Sequence, residues 1–372
     1  MKIGLNATCL NNRPSGAKQR FVGIYGELFK RLPEAEFIVY EPADCKLGSW
    51  FDGSPNLSFR RTPLPSEGRI RKFLGGLGYW SAALSKEEFD IFENFSQPLV
   101  KAPSGKTLLT IHDVRRIHSD WSGWERMAYK ATLARDLLVA DHVITVSQAM
   151  KKEILDFDPG ASISVIYNGL EASEFNAVTH ADMQATRQKY KLPMEFLLAV
   201  GHHEKRKNYL RLINSIARLR DRGSAPSLVI VGNDSGEGSE IAKLIASENL
   251  SGHVKILSGL SDLEVRCAFK LCSLHVFSSS YEGFGIPILE AMAAGSPMVL
   301  SDIPVFREIT QNQCVYFSHN DPDAIALAIE KVLASSSESK RQIKFGYERV
   351  KQFNFTSLAE QLANLYKTLA SR

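Results

Sequence analysis

Short β-branched runs alternate with longer segments in which apolar residues recur every three or four positions, over nearly the whole chain. This alternation is typical of parallel sheets connected by crossover helices, so it predicts an α/β fold. The predicted strands are 2–6, 36–40, 91–94, 106–111, 142–146, 163–166, 196–200, 227–231, 254–257, 274–277, 298–301 and 314–317. The predicted helices are 18–31, 124–140, 148–155, 181–190, 209–222, 238–248, 262–270, 286–294, 322–334 and 356–369.

The pattern loosens around residues 168–179, which suggests a linker between two domains of the same βα rhythm. A chain of 372 residues exceeds one ordinary core, in agreement with two domains. We therefore expect an N-terminal domain over 1–178 and a C-terminal domain over 179–354. The last helix, 355–372, is expected to cross back onto the first domain. Residues 42–64 are rich in Gly, Pro and Ser and are predicted to form a loop.

Composition narrows the function classes. A hydrophobic content of 44% with 23% charged residues is globular, and a net charge of +4 is too weak to indicate nucleic acid binding. This mild positive charge suits the binding of an anionic small molecule or of an anionic membrane surface. The chain shows no signal-peptide pattern at its start, no long uncharged apolar run and no C-x-x-C among its five cysteines. We expect a soluble cytoplasmic protein with reduced thiols.

The strongest chemical signal is the segment 278–292, in which a predicted strand ends in a glycine-containing turn and a helix follows with Pro287 in its first turn. The free N–H groups of such a helix start bind anions. Glu282 and Glu290 flank this start, and ionised carboxylates accept strong hydrogen bonds from sugar and ribose hydroxyls. The alternative is an ordinary helix with a chance pair of glutamates.

These two glutamates are spaced E-x7-E within Y-E-G-F-G-I-P-I-L-E-A-M-A-A-G-S-P, which resembles the donor-site signature of glycosyltransferase family 4. The resemblance is closest in character to bacterial polysaccharide mannosyltransferases. It implies the GT-B fold, two Rossmann-like domains with parallel sheets facing a central cleft, and retaining, metal-independent transfer from a nucleotide sugar. Further segments that resemble the family are Pro14-Ser15-Gly16, Thr110-Ile111-His112-Asp113, Thr145-Val146-Ser147, Tyr167-Asn168-Gly169 and Val200-Gly201 through Arg206-Lys207-Asn208.

The resemblance implies a role for each matching residue. Arg206 and Lys207, in the segment that Gly201 opens, would neutralise the donor diphosphate and stabilise the departing nucleotide. Backbone N–H groups of the helix start would hold the distal phosphate, Glu290 the ribose and Glu282 the transferred sugar. The backbone positions assigned to this helix start are Phe284, Gly285 and Ile286. Some family members have Arg where this chain has His202, so the assigned neutralisation of the diphosphate depends mainly on Lys207.

From the first domain, the resemblance implies that Gly16 closes over the diphosphate. His112 would lie against the reacting sugar, and Asp113 would orient the acceptor. A His-Asp pair after a strand is also a common structural feature, and only its place among the other motifs favours a functional role.

Retention of the anomeric configuration without an evident nucleophile suggests a front-face, dissociative transfer. In such a transfer, the proton of the acceptor hydroxyl passes to the leaving diphosphate. GDP-mannose is the first donor to expect, and UDP- or dTDP-linked hexoses remain open. By analogy, the acceptor is a saccharide or a lipid-linked saccharide used in bacterial surface polysaccharide synthesis. No metal and no further cofactor is expected. Asp321-Pro322-Asp323 spells D-x-D but precedes an Ala-rich helix, where Asp and Pro are ordinary capping residues.

Rival functions stay open at this point. A nicotinamide dehydrogenase is disfavoured because the first strand leads to Pro14-Ser15-Gly16 rather than G-x-G-x-x-G. A sugar-nucleotide epimerase or a phosphorylase would share the fold, and a catalytically silent nucleotide-binding partner would share the motifs. The basic and aromatic segment 68–80 is either a peripheral membrane or lipid-acceptor contact, an acceptor loop or a partly buried helix. Trp121 and Trp124 lie in a comparable stretch.

Overall fold

The computed structural model describes residues 1–51, 53–118, 123–224 and 226–371, with residues 69–74 and 77 described by their backbone only. Thirteen strands lie in the described residues. They are β1 (Lys2–Asn6), β2 (Glu36–Glu41), β3 (Leu57–Arg61), β4 (Ile91–Asn94), β5 (Lys106–Ile111), β6 (His142–Thr145), β7 (Ile163–Val165), β8 (Leu197–Val200), β9 (Leu228–Val231), β10 (Val254–Leu257), β11 (Leu274–Phe277), β12 (Met298–Ser301) and β13 (Val315–Phe317).

The α-helices of the described residues fall between these strands and at the chain end. They are α1 (Gly16–Arg20), α2 (Gly26–Arg31), α3 (Arg69–Leu84), α4 (Gly123–Val139), α5 (Gln148–Phe157), α6 (Ser173–Asn176), α7 (His180–Tyr190), α8 (Tyr209–Asp221), α9 (Gly238–Ser247), α10 (Asp262–Leu271), α11 (Ile286–Ala294), α12 (Pro304–Thr310), α13 (Pro322–Leu333), α14 (Ser336–Val350) and α15 (Phe355–Ala370). A π-helical turn, Phe21–Tyr25, joins α1 to α2, and the 3-10 turns are Leu47–Trp50, Arg115–Ile117, Lys205–Lys207 and Lys351–Phe353.

The chain divides into two compact units, each built on one parallel sheet. The first unit comprises Met1–Gly169 and Asn354–Arg372, and its seven strands run in the order β3-β2-β1-β4-β5-β6-β7. The second unit comprises Leu170–Phe353, and its six strands run in the order β10-β9-β8-β11-β12-β13. Both are doubly wound, so the strand order reverses between β1 and β4 in the first sheet and between β8 and β11 in the second. Ligands of such sheets bind at the carboxyl ends of the strands at this reversal.

The division between the units falls nine residues earlier than the expected boundary at residue 178, because the intervening segment packs within the second unit. The backbone N–H of Leu170 donates to the carbonyl of Phe353 at 2.9 Å. Glu174, on the short helix α6, pairs with Arg266 of α10. The loosened sequence pattern marks the connection, but these contacts assign it to the second unit.

The C-terminal helix α15 belongs to the first unit. Its buried face includes Leu358, Leu362 and Tyr366, which join the hydrophobic core beside α2. The hydroxyl of Tyr366 donates to the fully buried carboxyl of Glu93, at the end of β4. Burial raises the pKa of Glu93 above its usual value, with hydrogen bonds from its neighbours opposing this effect. A polar contact inside the core thus fixes the last helix of the chain to the first sheet.

The structure corrects part of the predicted secondary structure. Residues 42–64 were expected to form a loop, yet β3 lies within them and pairs in parallel with β2. β3 is an edge strand of partly exposed residues, so it lacks the continuous apolar run of a central parallel strand. The helices α12 and α14 were not predicted, since the first spans only seven residues and the second is largely polar. No helix of the described residues is long and apolar enough to cross a membrane.

Candidate active site

The two cations singled out in the sequence and Glu282 meet at the strand-order reversal of the second sheet. Arg206 and Lys207 lie in the 3-10 turn that follows β8, and Glu282 lies in the turn that follows β11. These two strands are neighbours in the sheet, so both turns leave the same carboxyl edge side by side. The fold thereby brings together residues that are far apart in sequence.

Backbone and side-chain hydrogen bonds fasten the two turns to each other. The N–H of Ser280 donates to the carbonyl of Arg206 at 2.8 Å, and the hydroxyl of Ser278 donates to the carbonyl of Lys207 at 2.8 Å. The side-chain amide of Asn208 donates to the carbonyl of Ser278 at 3.2 Å. Asn208 has φ +61°, a left-handed conformation that Asn adopts more readily than most residues. The cations are therefore carried on a backbone that has little freedom to move.

Glu282 is the centre of a buried charge cluster. One carboxylate oxygen, Oε1, lies 2.6 Å from Nη1 of Arg206 and 2.8 Å from Nζ of Lys207, and it also accepts the hydroxyl of Ser279 at 2.9 Å. Burial alone would raise the pKa of Glu282, but Lys207 and Arg206 outweigh it and lower the pKa to about 2. The carboxylate is ionised throughout the physiological pH range.

Lys207 depends on the absence of a side chain at Gly201. A Cβ on Gly201 would lie 2.8 Å from Cε of Lys207. The φ of Gly201 is +146°, a value that residues with a side chain rarely adopt. The Lys207 ammonium lies 4.7 Å from the ring centroid of Phe277, and its side chain is only 8% exposed. Burial lowers the pKa of Lys207, with Glu282 opposing this effect. Gly201 therefore shapes the space that the cation occupies.

Glu204 completes the cluster and was not singled out in the sequence. Its Oε2 lies 2.7 Å from Nε of Arg206, whereas Glu282 contacts Nη1 of the same guanidinium. Glu204 and Glu282 together balance the charges of Arg206 and Lys207. A glutamate two residues before an arginine in a polar loop is common, so the sequence held no specific signal for this contact.

The N-terminus of α11 lies in the same turn as Glu282. Gly285 has φ +116°, and a Cβ there would lie 3.0 Å from the ring of Phe306, so the turn requires glycine. Within the described residues no side chain caps this helix, and Pro287 in its first turn has no N–H of its own. The backbone N–H of Ile286 thus stands at an uncapped helix start, which favours an anion.

The side chain of Phe284 lies in the core, and its expected backbone role at the helix start stays a prediction. Its side chain is 4% exposed and contacts the ring of Phe353, with 5.9 Å between centroids. The side chain is part of the core because the turn needs an apolar anchor beneath it. Only the backbone of Phe284 could contribute to binding an anion.

Glu290 lies one turn into α11 and is electrostatically unlike Glu282. Burial raises the pKa of Glu290 from its usual 4.5 to about 7, and the carboxylate of Asp262 adds to this rise. Arg266 and Lys207 oppose it. Asp262 begins α10, and nothing in the sequence relates it to Glu290. Near neutral pH, Glu290 is therefore present in both its protonated and its ionised form.

The remaining predicted residues lie in the first unit, at carboxyl ends of its strands. Gly16 begins α1, which follows β1, and His112 and Asp113 follow β5 directly. Burial, with a contribution from the charge of Arg20, lowers the pKa of His112 to about 3, so its ring is neutral at physiological pH. The carboxylate of Asp113 accepts the backbone N–H of Arg115 at 3.2 Å. The roles assigned to these three residues stay predictions.

The D-x-D triplet has a structural role at the start of α13. The carboxylate of Asp321 accepts the backbone N–H of Asp323 at 2.9 Å and so caps the helix. Asp323 pairs with the guanidinium of Arg222 at 2.6 Å. The described residues contain no group of three or more His, Cys, Asp or Glu side chains arranged to hold a metal ion.

Two family models match consecutive parts of the chain. Residues 30–174 match the model described as Glycosyltransferase Family 4, and residues 182–349 match the model described as Glycosyl transferases group 1. The chain belongs to glycosyltransferase family 4. This glycosyltransferase has the GT-B fold, with one Rossmann-like unit under each match, and its activity is that of a hexosyltransferase.

Relatives and solved structures agree with this assignment. The O-antigen chain mannosyltransferase RfbU of Salmonella typhimurium is 28% identical over 259 residues, which are 68% of this glycosyltransferase and 69% of that protein. A sucrose-phosphate synthase from Thermosynechococcus elongatus has a TM-score of 0.79 at 20% identity and covers 100% of this chain and 99% of its own. Anabaena HepE in complex with UDP and glucose has a TM-score of 0.77 at 17% identity, with 99% and 100% covered. At these identities the two structures establish the fold alone.

Proposed function

We propose that this glycosyltransferase moves a hexose, with mannose from GDP-mannose as the first choice, onto a saccharide or lipid-linked saccharide of a bacterial surface polysaccharide. The observation that carries the proposal is the cluster of Arg206, Lys207 and Glu282 beside the uncapped start of α11. The similarity to an O-antigen chain mannosyltransferase supports the choice of mannose. When the donor binds, Arg206 and Lys207 contact its diphosphate while they keep their pairing with Glu282.

In this mechanism, the second unit stabilises the leaving group. As the bond between the anomeric carbon and the phosphate oxygen breaks, negative charge grows on the diphosphate. Arg206, Lys207 and the N–H of Ile286 stabilise that charge. All three contacts of Glu282 fall on Oε1, so Oε2 is the oxygen that accepts a hydroxyl of the transferred sugar. Glu282 then positions the sugar and the two cations at once.

We propose retention by a front-face route. Glu282 is a poor nucleophile because two cations hold its carboxylate and lower its pKa to about 2. The new bond forms between the acceptor oxygen and the anomeric carbon on the face that the diphosphate leaves. The proton of the acceptor hydroxyl passes to the leaving phosphate oxygen. Determining the anomeric configuration of the product by NMR tests this step, and an inverted product would refute it.

A specific alternative exists for the nucleobase of the donor. Anabaena HepE, which shares the fold, binds UDP and glucose, so a UDP-hexose is the second candidate donor. Glu290 is proposed to bind the ribose hydroxyls in its ionised form, a role that does not depend on the base. The contacts proposed for the second unit therefore support a nucleotide-sugar donor without distinguishing between the bases.

A thermal-shift panel without added metal distinguishes these candidates. GDP-mannose, UDP-glucose, UDP-galactose, UDP-GlcNAc and dTDP-rhamnose are compared with and without EDTA, since a ligand that binds the folded state raises the melting temperature. We expect a selective shift with GDP-mannose, unchanged by EDTA, lost in Glu290→Ala and kept in Glu240→Ala on the exposed face of α9. A selective shift with another donor would replace mannose. No shift with any donor would favour a silent nucleotide-binding protein.

A further inference from the structure

Arg20, at the end of α1, is a buried cation of the first unit. The residue is 1% exposed. Nη1 donates to the carbonyls of Ile166 and Tyr167, each at 2.8 Å, and to Oδ1 of Asn168 at 3.2 Å. Nε and Nη2 are buried as well, but among the described residues neither has a hydrogen-bond partner, and no carboxylate forms an ion pair with the guanidinium. We call Nε and Nη2 the free edge of Arg20.

The contacts made by Nη1 do not by themselves require an arginine. They fasten the segment that follows β7 to α1, and a lysine ammonium, with its own N–H donors, could make them as well. The free edge adds N–H groups that are taken out of water and left unpaired, which is unfavourable, and more so for a charged group. The free edge therefore suits a partner from outside the chain.

The charge of Arg20 acts on the buried carboxyl of Glu93, but Glu93 does not pair with it. Oε1 of Glu93 accepts the hydroxyls of Tyr25, at 2.7 Å, and of Thr110, and Oε2 accepts that of Tyr366. These hydroxyls occupy both oxygens, and burial raises the pKa of Glu93 although the charge of Arg20 opposes the rise. A buried water would give the free edge an acceptor without a negative charge. An anion supplies both.

Arg20 lies at the carboxyl edge of the first sheet, where ligands of doubly wound sheets bind. The helix α1 follows β1, and the strand order reverses between β1 and β4. Burial lowers the pKa of His112, which follows β5 directly, to about 3, and the charge of Arg20 adds to this effect. The two side chains are therefore close enough to interact electrostatically. His112 is half-buried, so a ligand that reaches its ring from solvent arrives beside Arg20.

We propose that the free edge of Arg20 binds a phosphate group beside His112. Nε–H and Nη2–H point the same way from a planar guanidinium, so they donate to two oxygens of one phosphate. The inference deepens the proposed function, on which it rests for its ligand: a nucleotide sugar carries phosphate, and so would a phosphorylated acceptor. The site differs from the contact considered for residues 68–80, most of whose side chains lie outside the described residues, as does Trp121.

Calorimetric titration with inorganic pyrophosphate, in EDTA, tests the inference without donor or acceptor. All proteins in this titration carry Lys207→Met, which weakens the anion site proposed for the second unit. In this background Arg20→Lys should bind pyrophosphate at least about tenfold more weakly, because an ammonium does not donate to two oxygens in parallel. The matched control is Arg31→Lys on α2, whose side chain is 36% exposed in the same unit. Equal binding by the Arg20→Lys and Arg31→Lys proteins would overturn the inference.

Two further measurements separate binding from a structural role of Arg20. Lysine keeps the charge and can donate to the carbonyls of Ile166 and Tyr167, so the melting temperature of Arg20→Lys should stay near that of the wild type. If it falls, hydrogen exchange of the wild-type protein decides, since it depends on no variant. Pyrophosphate should slow amide hydrogen exchange in α1 and in residues 166–169 more than in α4. The absence of such slowing would also refute the phosphate site.

GDP-mannose identifies which molecule brings the phosphate, in proteins that keep Lys207. Weaker binding of GDP-mannose to Arg20→Lys than to Arg31→Lys would assign the free edge to the donor diphosphate. Equal binding, together with the loss of pyrophosphate binding, would assign it to a phosphate of the acceptor. The proposed function fails separately, because it is refuted when no donor shifts the melting temperature, whatever pyrophosphate does. A donor shift without any effect of Arg20→Lys on pyrophosphate binding refutes this inference alone.

Discussion

Replacing Glu290 with Gln should make the protein more stable at alkaline pH while weakening donor binding. In the folded protein, burial beside Asp262 raises the pKa of Glu290 from 4.5 to about 7. As the pH rises above about 4.5, the unfolded chain therefore loses this proton while the folded protein keeps it. Wild-type stability falls over that window, up to pH about 7, by at most about 1.36 kcal/mol per pH unit. Gln carries no charge at any pH and escapes this loss.

The expected gain follows from the two pKa values. A difference of about 2.5 in pKa corresponds to about 3 kcal/mol, so Glu290→Gln should exceed the wild type by up to that amount at pH 8 and by little at pH 5. Chemical unfolding followed by circular dichroism measures the gap at both values. All four tryptophans, Trp50, Trp80, Trp121 and Trp124, belong to the first unit, so their fluorescence reports on that unit directly and not on the one that carries Glu290.

Two further results would decide the interpretation of this gap. Glu240→Gln on the exposed face of α9 is the matched control and should show no difference between the two pH values. A gap for Glu290→Gln that is equal at pH 5 and pH 8 would refute the reasoning, because it would mean that Glu290 titrates normally. A variant that gains stability but keeps full donor binding would instead refute the proposed ribose contact.

Three more substitutions have defined outcomes. Glu282→Gln removes the centre of the charge cluster. The rate of sugar transfer in steady-state kinetics should therefore fall at least about 100-fold, and the free energy of unfolding should fall by about 3–5 kcal/mol. Transfer near the wild-type rate would contradict the assignment of Glu282 to the active site. Gly285→Ala places a side chain on a backbone with φ +116°. Calorimetry should show that the free energy of unfolding falls by about 1–3 kcal/mol, and the donor should raise the melting temperature less than in the wild type. An unchanged melting temperature would contradict the claim that this turn requires glycine. Tyr366→Phe leaves Glu93 without one of its donors, so the free energy of unfolding followed by tryptophan fluorescence should fall by about 1–3 kcal/mol. An unchanged value would mean that this hydrogen bond does not stabilise the first unit.

Local signals in the sequence explain why much of the fold could be predicted. The helix Ile286–Ala294 was predicted with its observed bounds because glycine, proline and an apolar run mark its start and course. The strands β1, β4, β5, β10, β11 and β12 were likewise predicted at their observed bounds, since buried parallel strands are short apolar runs. By contrast, β3 gains its structure from pairing with β2, which its own composition does not indicate.

The candidate site, like the fold, could be predicted only where its signals are local in the sequence. The glycine turn and the two glutamates could be found because the motif is contiguous, and Lys207 because it follows a strand. The contacts that define their chemistry are long-range, such as the pairing of Glu282 with Arg206 and the effect of Asp262 on Glu290. Residues of this kind, including Glu204, become recognisable only when β8 and β11 lie side by side.

Calorimetric titration of GDP-mannose in EDTA, into the wild type, Lys207→Met and Lys243→Met, tests the central claim most directly. Lys243 is a matched control because its side chain is 75% exposed on α9, in the same unit. We expect the wild type and Lys243→Met to bind equally and Lys207→Met to bind at least about tenfold more weakly, a loss of about 1.4 kcal/mol or more. Equal binding by all three proteins would contradict the claim that the cluster beside α11 holds the donor diphosphate.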